Sequence, residues 1–220
     1  MVGVPYNTSS AAITALTFQK FHCNQFLKSF DINVPEAVLV KPEDKINQRQ
    51  VIEKVGLPCF VKPTDGGSSF GVTKVKKESE LLPAINEAFN NGSEVVVEES
   101  IDGREVTCGV FREGEGINAL PITEIISENE YFDYDAKYNG KSKEVTPAEL
   151  EEEMTLEIQS LTKEIYSVLT MKGIVRIDYI ISYMNIPHLI EINSIPGMSK
   201  ESIVPMMLSE SSVDLKEILI

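Results

Sequence analysis

Positively charged residues and long apolar runs are both scarce in this sequence. It has 20 Lys and Arg against 34 Asp and Glu, which gives a formal net charge of −14 at pH 7. Nucleic-acid phosphates and anionic membrane surfaces both require a basic face, so this charge argues against either partner. No run approaches the roughly 18 apolar residues that span a membrane, and residues 1–6 lack the basic and apolar regions of a signal peptide. With 42% hydrophobic and 25% charged residues, the composition predicts a soluble, cytoplasmic, globular protein.

Cysteine and histidine are also few, which bears on thiol and zinc chemistry. The three cysteines, Cys23, Cys59 and Cys108, are an odd number, lie far apart, and each falls in an apolar segment. They are predicted to be buried thiols in a reducing compartment. The two histidines, His22 and His188, form no Cys/His cluster, which argues against zinc. A Ser/His/Asp triad is disfavoured because no nucleophile elbow lies near His188.

Hydrophobic periodicity predicts a succession of helices and strands along the chain. In the first 126 residues, helices are predicted at 10–29, 51–55 and 79–90, and strands at 37–40, 57–63, 72–76, 94–99, 104–111 and 117–126. Further on, Thr146, Pro147 and Glu149 form a capping-box pattern that predicts a long helix to about residue 170. Strands follow at 173–182 and 187–192 around a turn at Asn185, and short helices at 202–208 and 215–219. Because several strands follow one another without crossover helices, we predict two α+β lobes with mostly antiparallel sheets.

A glycine-rich segment, 66–71, lies between the two strands of a predicted hairpin. Its glycines let backbone amides approach an anion closely, and Ser68 and Ser69 add hydroxyl donors. Lys62 emerges from the preceding apolar strand towards this segment and could neutralise a phosphate. The segment is not a Walker loop, because no Gly-Lys-Ser/Thr follows. A plain hairpin loop is the alternative.

Adjacent glutamates, Glu98 and Glu99, close the apolar strand at 94–99. Burying both without partners would be unfavourable, so at least one of them faces a polar site or water. A solvated charge run at a strand end is the alternative interpretation.

Charged and apolar residues alternate on the two strands around the turn at Asn185. Arg176 and Asp178 share one face of the first strand, and Glu191 and Asn193 share one face of the second. If the strands pair, two carboxylates and an amide oxygen converge beside a guanidinium, and such hard oxygen donors suit Mg²⁺. The alternative is a cross-strand salt bridge on a solvated sheet face. Because the opposite faces look apolar, the sequence favours the metal site.

Two further segments carry groups that could contact a substrate. The Pro-Gly turn at 196–197 precedes a predicted helix start, which places free amides, such as that of Gly197, where an anion or oxyanion could sit. The segment at 131–138 combines aromatic and charged side chains. The alternatives are an ordinary strand-to-helix connection and a surface loop.

Taken together and in this order, these segments resemble the ATP-grasp part of the D-alanine–D-alanine ligase family. The resemblance runs over nearly the whole chain, and its most specific segments are 60–71, 132–138, 176–178 and 191–198. It implies an ATP-grasp fold in which two α+β lobes with mostly antiparallel sheets hold the nucleotide between them. The implied domains are a remnant of the junction to an N-terminal lobe at 1–18, a small lobe at 19–102, and a large lobe with the metal and substrate site at 103–220.

The resemblance also implies a role for each matching residue. The residues matching the ATP-binding set are Lys20, Lys62, Ser69, Glu98, Glu99, Ile101, Glu105, Tyr131 and Lys137. Asp178, Glu191 and Asn193 match the ligands of two Mg²⁺ ions, for which Mn²⁺ can substitute. The residues matching the catalytic set are Arg176, Gly197, Ser68 and Tyr138, and those matching substrate-binding positions are Ser202 and Ile203. Tyr138 implies an amine acceptor, because depsipeptide-forming members of the family have Phe there.

The implied reaction is the ATP-dependent ligation of two D-alanines for peptidoglycan precursor synthesis in the cytoplasm. ATP phosphorylates the carboxylate of the first D-alanine, which gives an acyl phosphate and ADP. The amine of the second D-alanine then displaces phosphate and forms the dipeptide. Negative charge builds on the transferring phosphoryl group and then on the oxyanion, which explains the need for Mg²⁺ and a fixed arginine.

Two departures from the family pattern leave other interpretations open. The chain starts at the junction that follows the family's N-terminal lobe, and residues 7–10, Asn-Thr-Ser-Ser, differ from the usual Thr-Gly-Ser. We therefore expect a truncated form that binds ATP and Mg²⁺ but ligates weakly or not at all, whereas the parent protein would form a homodimer as the family implies. The alternatives are an ATP/Mg-binding fragment without ligase turnover and another ATP-grasp carboxylate–amine ligase. Residues 134–138 and Ser202 argue against the latter, because they match substrate-side positions.

Overall fold

The chain forms two compact units, which we describe from a computed structural model for residues 6–65, 71–127 and 142–219. The small unit comprises 18–65 and 71–103 with residues 127, 142 and 143, and the large unit comprises 6–17, 104–126 and 144–219. A first helix, α1 (Ala11–Phe18), ends where the chain passes from the large unit to the small one. Ser68 and Ser69 of the glycine-rich segment, and Tyr131, Lys137 and Tyr138, lie outside the described residues.

The small unit is built on a four-stranded antiparallel sheet. Its strands are β1 (Ala37–Val40), β2 (Cys59–Pro63), β3 (Thr73–Val75) and β4 (Val95–Glu99), in the spatial order β1-β4-β2-β3. Its helices are α2 (Lys20–Lys28), α3 (Gln48–Val55) and α4 (Glu78–Phe89). Val61 and Val97 on the sheet and Leu81 and Ile85 on α4 are fully buried together in its core. The predicted hairpin of β2 and β3 is confirmed, with Phe60 opposite Lys74.

The large unit is built on a six-stranded sheet. Its strands are β5 (Gly103–Glu113), β6 (Gly116–Ala119), β7 (Thr123–Ser127), β8 (Ser142–Val145), β9 (Val175–Ser182) and β10 (Pro187–Asn193). The spatial order is β10-β9-β5-β7-β8, and β6 pairs with β5. Its helices are α5 (Glu152–Val168), α6 (Ile203–Ser211) and α7 (Leu215–Leu219), in addition to α1. The pairings of β5 with β6 and β7 and of β9 with β10 are antiparallel, so the predicted α+β class with mostly antiparallel sheets is confirmed.

The core of the large unit follows from the alternation along β9 and the apolar face of α5. Val175, Ile177 and Tyr179 are fully buried on one face of β9, and Ile158 and Ile165 are fully buried on α5. The Tyr179 hydroxyl lies 2.9 Å from Thr162 Oγ1, so this large side chain is buried with its polar atom satisfied.

The helix predicted at 10–29 is two helices, because Gln19 interrupts it. Gln19 has φ −91° and ψ 86° and forms a β-bridge with Asp65. The Thr64 hydroxyl donates to Gln19 Oε1 (2.8 Å), and the Lys20 N–H donates to the Thr64 carbonyl (3.1 Å). These bonds to a segment distant in sequence replace the local helical ones, which periodicity alone could not reveal.

The helix start predicted at Thr146 is wrong, because α5 begins at Glu152 with Glu151 as its N-cap residue. The Thr146 hydroxyl lies 2.6 Å from Thr123 Oγ1 on β7, and the Ala148 N–H donates to the Ile122 carbonyl (2.8 Å). Residues 146–148 therefore follow β8 as an irregular segment that is bonded to residues 122 and 123. The hydroxyl that the pattern assigns to a helix cap binds a neighbouring strand instead.

The strand predicted at 117–126 is two strands, β6 and β7. Both pair with β5, with Ala119 opposite Val110 and Thr123 opposite Thr107. Pro121 lies between them and has no N–H to offer to a ladder. The chain therefore leaves the sheet briefly and returns further along the same partner strand.

The three cysteines are free thiols and all are buried, as their apolar sequence surroundings predict. Among the residues described, none of the helices has the length and apolar character needed to cross a bilayer.

Candidate functional site

A bulge in the β9–β10 hairpin brings the predicted metal-ligating residues to one face. Leu189 lies opposite Tyr179, but Glu191 lies opposite Asp178 and Asn193 opposite Arg176, so the register shifts by one residue at Ile190. With regular pairing, Glu191 would face Ile177 on the buried side of the sheet. The alternation predicts the shared faces of each strand, but not the bulge that aligns them.

Asp178 is the centre of this group. The Arg176 guanidinium donates to both of its oxygens, with Nε 2.9 Å from Oδ1 and Nη2 2.9 Å from Oδ2. Asn193 Nδ2 donates to Oδ2 at 2.8 Å. The side chains of Arg176 and Asp178 are 16% and 15% exposed, so this polar face is largely shielded from water.

Acidic neighbours control the charge of Arg176. Burial disfavours its guanidinium charge and by itself lowers the pKa, but the nearby carboxylates of Asp178, Glu191 and Glu144 outweigh burial and raise the pKa above its ordinary value. Arg176 is therefore a permanent cation in this site, and it is placed to offset negative charge.

Thr107 on β5 also contacts Asp178, and the sequence analysis does not identify it. Its side chain is fully buried, and its hydroxyl donates to Asp178 Oδ1 at 2.6 Å. The same hydroxyl oxygen lies 3.2 Å from the Ile177 carbonyl. A threonine inside an apolar strand must find a partner for its hydroxyl. This requirement is the feature of the sequence that could have identified Thr107. The partner itself depends on the pairing of β5 with β9, which the sequence does not specify.

The segment after β10 packs closely around Gly197. A Cβ at Gly197 would lie 2.9 Å from Ser202 Oγ, so a larger residue here would require the Ser202 side chain to shift. Ser202 is the N-cap residue of α6 without a side-chain cap bond, and its Oγ lies 2.9 Å from Ser199 Oγ. The Ile203 side chain is buried in the core, which leaves its backbone as the part that can contact a ligand.

Helix α1 supports the end of β10. The Thr17 and Ser194 hydroxyls, both buried, lie 3.1 Å apart, and Ser194 directly follows Asn193. At the other end of this segment, the Ser9 hydroxyl lies 3.2 Å from the Lys172 N–H and 3.3 Å from its carbonyl. The chain from Ser9 to Thr17 is therefore tied to the large unit at both ends.

The small unit buries an ion pair between Lys62 on β2 and Glu98 on β4. Their side chains are only 10% and 9% exposed. An ammonium has three N–H donors, so Lys62 can bind Glu98 and a second anion at once. The alternative interpretation of the two adjacent glutamates, a solvated charge run at a strand end, therefore does not hold for Glu98.

The other residues matched to ATP binding lie at element ends or in loops. Glu99 is exposed and accepts a hydrogen bond from the Glu36 N–H (3.2 Å). Lys20 begins α2 and Ile101 follows β4, and both are half-buried. Glu105 lies on β5 of the large unit, opposite Ile125.

The donor set around Asp178 fits a hard divalent cation. Within 6–65, 71–127 and 142–219, no three His, Cys, Asp or Glu side chains are grouped as metal ligands. The amide oxygen of Asn193 could serve as a third protein ligand for a cation held by Asp178 and Glu191. Two carboxylates and an amide oxygen are ligands that Mg²⁺ accepts.

Sequence comparison relates the chain to one family. The family model described as D-ala D-ala ligase C-terminus matches residues 26–220. A D-alanine–D-alanine ligase of Phocaeicola vulgatus is 47% identical over 182 residues, which cover 83% of this chain and 56% of that protein. A D-alanine–D-alanine ligase of Porphyromonas gingivalis is 45% identical over 220 residues, 100% of this chain and 67% of that protein. The matched part of the chain thus spans between about half and two thirds of these relatives.

Structural comparison gives the same relationship. The crystal structure of a D-alanine–D-alanine ligase from Bacillus anthracis complexed with ATP matches with a TM-score of 0.84 at 26% identity, over 99% of this chain and 69% of that one. The two antiparallel units are therefore those of an ATP-grasp protein. The chain belongs to the D-ala D-ala ligase C-terminus family.

Proposed function

We propose that the protein catalyses the ATP-dependent ligation of two D-alanines through an acyl phosphate. The observation that carries this proposal is the convergence of Arg176, Glu191 and Asn193 around Asp178 on one shielded sheet face. Family membership supplies the choice of reaction, and this face supplies the charges that the reaction needs. The carboxylates of Asp178 and Glu191 are suited to hold a metal–phosphate complex, and the Arg176 guanidinium beside them is suited to stabilise an oxyanion.

In this proposal, ATP binds to the residues that match the family's nucleotide-binding set. Lys20 and Lys62 neutralise the phosphates, with Ser69 and Lys137 contributing further donors. The adenine and ribose contacts come from Glu98, Glu99, Ile101, Glu105 and Tyr131. Lys62 already neutralises Glu98, so the arriving phosphates share its donors rather than meet an isolated cation.

Asp178, Glu191 and Asn193 would hold two Mg²⁺ ions. When bound, these ions offset the phosphate charge and make the terminal phosphorus more electrophilic. Arg176 and the Gly197 N–H stabilise the oxyanion, with Ser68 and Tyr138 assisting. Ser202 and the backbone of Ile203 orient the substrate carboxylate.

The proposed domains are a junction segment at 1–18, a small lobe at 19–102 and a large lobe at 103–220. The dipeptide product would serve peptidoglycan precursor synthesis in the cytoplasm. Both statements rest on the family rather than on a contact in this chain.

The proposal is tested by isothermal titration calorimetry with the ATP analogue AMP-PNP, with and without Mg²⁺, followed by an assay of phosphate release from ATP on addition of D-alanine. We expect Mg²⁺ to strengthen nucleotide binding about ten-fold or more, because its positive charge offsets the negative charges of the phosphates and carboxylates at one site. The Asp178→Asn variant should lose this Mg²⁺ dependence.

Asp44→Asn is the matched control, because Asp44 is exposed and its carboxylate only accepts the Lys41 N–H (2.8 Å). D-alanine-dependent phosphate release would support the ligase. Metal-dependent binding without release would favour a nucleotide-binding module, and no nucleotide binding would contradict the proposal altogether.

A further inference from the structure

The Asp178 carboxylate is surrounded by hydrogen-bond donors. Oδ1 accepts from Thr107 Oγ1 (2.6 Å) and Arg176 Nε (2.9 Å), and Oδ2 accepts from Arg176 Nη2 (2.9 Å) and Asn193 Nδ2 (2.8 Å). A carboxylate offers about four lone-pair sites, so these donors saturate it. A cation that binds Asp178 must therefore replace at least one of them.

Three of these four donors belong to side chains that have another task in the proposed function. Arg176 is assigned to the oxyanion and Asn193 to the metal, so each divides its side chain between Asp178 and a ligand. Thr107 has no other task. It is fully buried on a central strand, and a β-branched side chain there has little rotamer freedom.

The Thr107 hydroxyl donates to Asp178 rather than elsewhere. A hydroxyl has one proton, and its other candidate acceptor, the Ile177 carbonyl, is farther away at 3.2 Å. A bond to a charged carboxylate is also the stronger of the two kinds. Thr107 is thus the fixed donor of the group.

We propose that Thr107 is a positioning residue that orients the Asp178 carboxylate and thereby strengthens its binding of a divalent cation. This inference rests on the proposed function, because it takes Asp178 as a metal ligand. Groups that hold metal ligands in place typically change metal affinity by about 10- to 100-fold when they are removed.

The test compares Mn²⁺ binding to the purified chain in the presence of AMP-PNP, followed by the electron paramagnetic resonance signal of free Mn²⁺. Thr107→Val removes the hydroxyl but keeps the shape, and we expect it to weaken Mn²⁺ binding about ten-fold. Thr107→Ser restores the hydroxyl and should bind Mn²⁺ almost as the unmodified protein does. Thr107→Cys, with its weak S–H donor, should lose affinity like the valine variant and replaces it if that variant does not fold.

Thr123→Val is the matched control. Thr123 lies opposite Thr107 in the sheet, is also fully buried, and its hydroxyl bonds to Thr146 (2.6 Å) rather than to the site. Its Mn²⁺ affinity should stay unchanged, and an equal loss there would show a general effect of disturbing the sheet and overturn the inference.

The same titration separates this inference from the proposed function. Mn²⁺ binding that Asp178→Asn abolishes but Thr107→Val leaves unchanged overturns the inference alone. Absence of Mn²⁺ binding, or binding that survives Asp178→Asn, overturns both.

Discussion

At the scale of single residues, two ion pairs of the described chain hold opposite charges together away from water. Lys62 and Glu98 share the interior of the small unit, as Arg176 and Asp178 share a shielded face of the large one. A buried ion pair adds little net stability over an apolar pair of the same size, but removing one partner leaves a charge without compensation. The two pairs are therefore vulnerable to single substitutions.

Glu98→Gln should lower the free energy of unfolding by about 3 kcal/mol, because Lys62 keeps its charge while its partner loses one. Urea unfolding followed by circular dichroism measures this change. Glu53→Gln is the control in the same unit, since Glu53 pairs with Arg49 on the exposed face of α3, where the side chains are 61% and 84% exposed. That variant should change stability by less than about 1 kcal/mol, and equal losses in the two variants would contradict the expectation.

Single residues also show where sequence reasoning about the site succeeds. Alternation along two strands is sufficient to group Arg176 with Asp178 and Glu191 with Asn193, because side chains two apart share a face. Thr107 escapes this reasoning, since its partner lies on a strand 71 residues further along the chain. The burial of Lys62 with Glu98 likewise depends on the pairing of β2 with β4.

At the scale of elements, long-range hydrogen bonds decide where helices begin and end. Thr146, Pro147 and Glu149 have a helix-start pattern, yet Thr146 bonds to Thr123 and the helix begins at Glu152. The break at Gln19 likewise follows from bonds to Thr64. The β9–β10 hairpin, in contrast, follows from its own local alternation and turn, which is why its prediction is confirmed.

The segment before α1 depends on a close contact with Gly173. Gly173 has φ +68°, and a Cβ there would overlap the Asn7 carbonyl. Residues 7–9 therefore pack on a surface that only glycine provides, and Ser9 adds two hydrogen-bond contacts to Lys172.

Gly173→Ala should lower the free energy of unfolding by about 2–3 kcal/mol, from backbone strain at positive φ together with displacement of residues 7–9. Gly114→Ala is its control, because Gly114 has φ +56° but no atom of the described residues lies within 4 Å of the position that an alanine methyl group would take. The control should lose only about 1 kcal/mol, the strain alone. Thermal or urea unfolding of both variants measures the difference, and equal losses would show that the Asn7 contact is not important for stability.

At the scale of the whole molecule, the net negative charge and the buried thiols both lower the stability of the folded state as the pH rises. The chain carries a formal charge of −14 at pH 7. Burial raises the pKa of the Cys23 thiol to about 12, of Cys59 to about 11 and of Cys108 to about 12. The folded state therefore holds these thiols neutral where the unfolded chain would ionise them.

Stability should fall as the pH rises above about 9. Below the pKa of the thiols in the unfolded chain, both states keep the thiols protonated, so they do not change the stability. Above that pKa only the unfolded chain ionises, and each thiol lowers the free energy of unfolding by up to about 1.4 kcal/mol per pH unit. Urea midpoints at pH 8, 9 and 10 measure this slope. The Cys23→Ala variant should show a shallower slope, and an identical slope in that variant would contradict the assignment to thiols.

The alignment of the site residues on β9 and β10 depends on the number of residues in β10. Removing Ile190 would restore regular pairing and leave Glu191 opposite Asp178, whereas removing Ile192 would place Asn193 opposite Ile177, on the buried side of the sheet. Insertions at the exposed turn residues Tyr183 and Met184 leave the pairing as it is. In a lineage of such proteins, a change in chain length is therefore tolerated at the tip of this hairpin and selected against between Glu191 and Asn193.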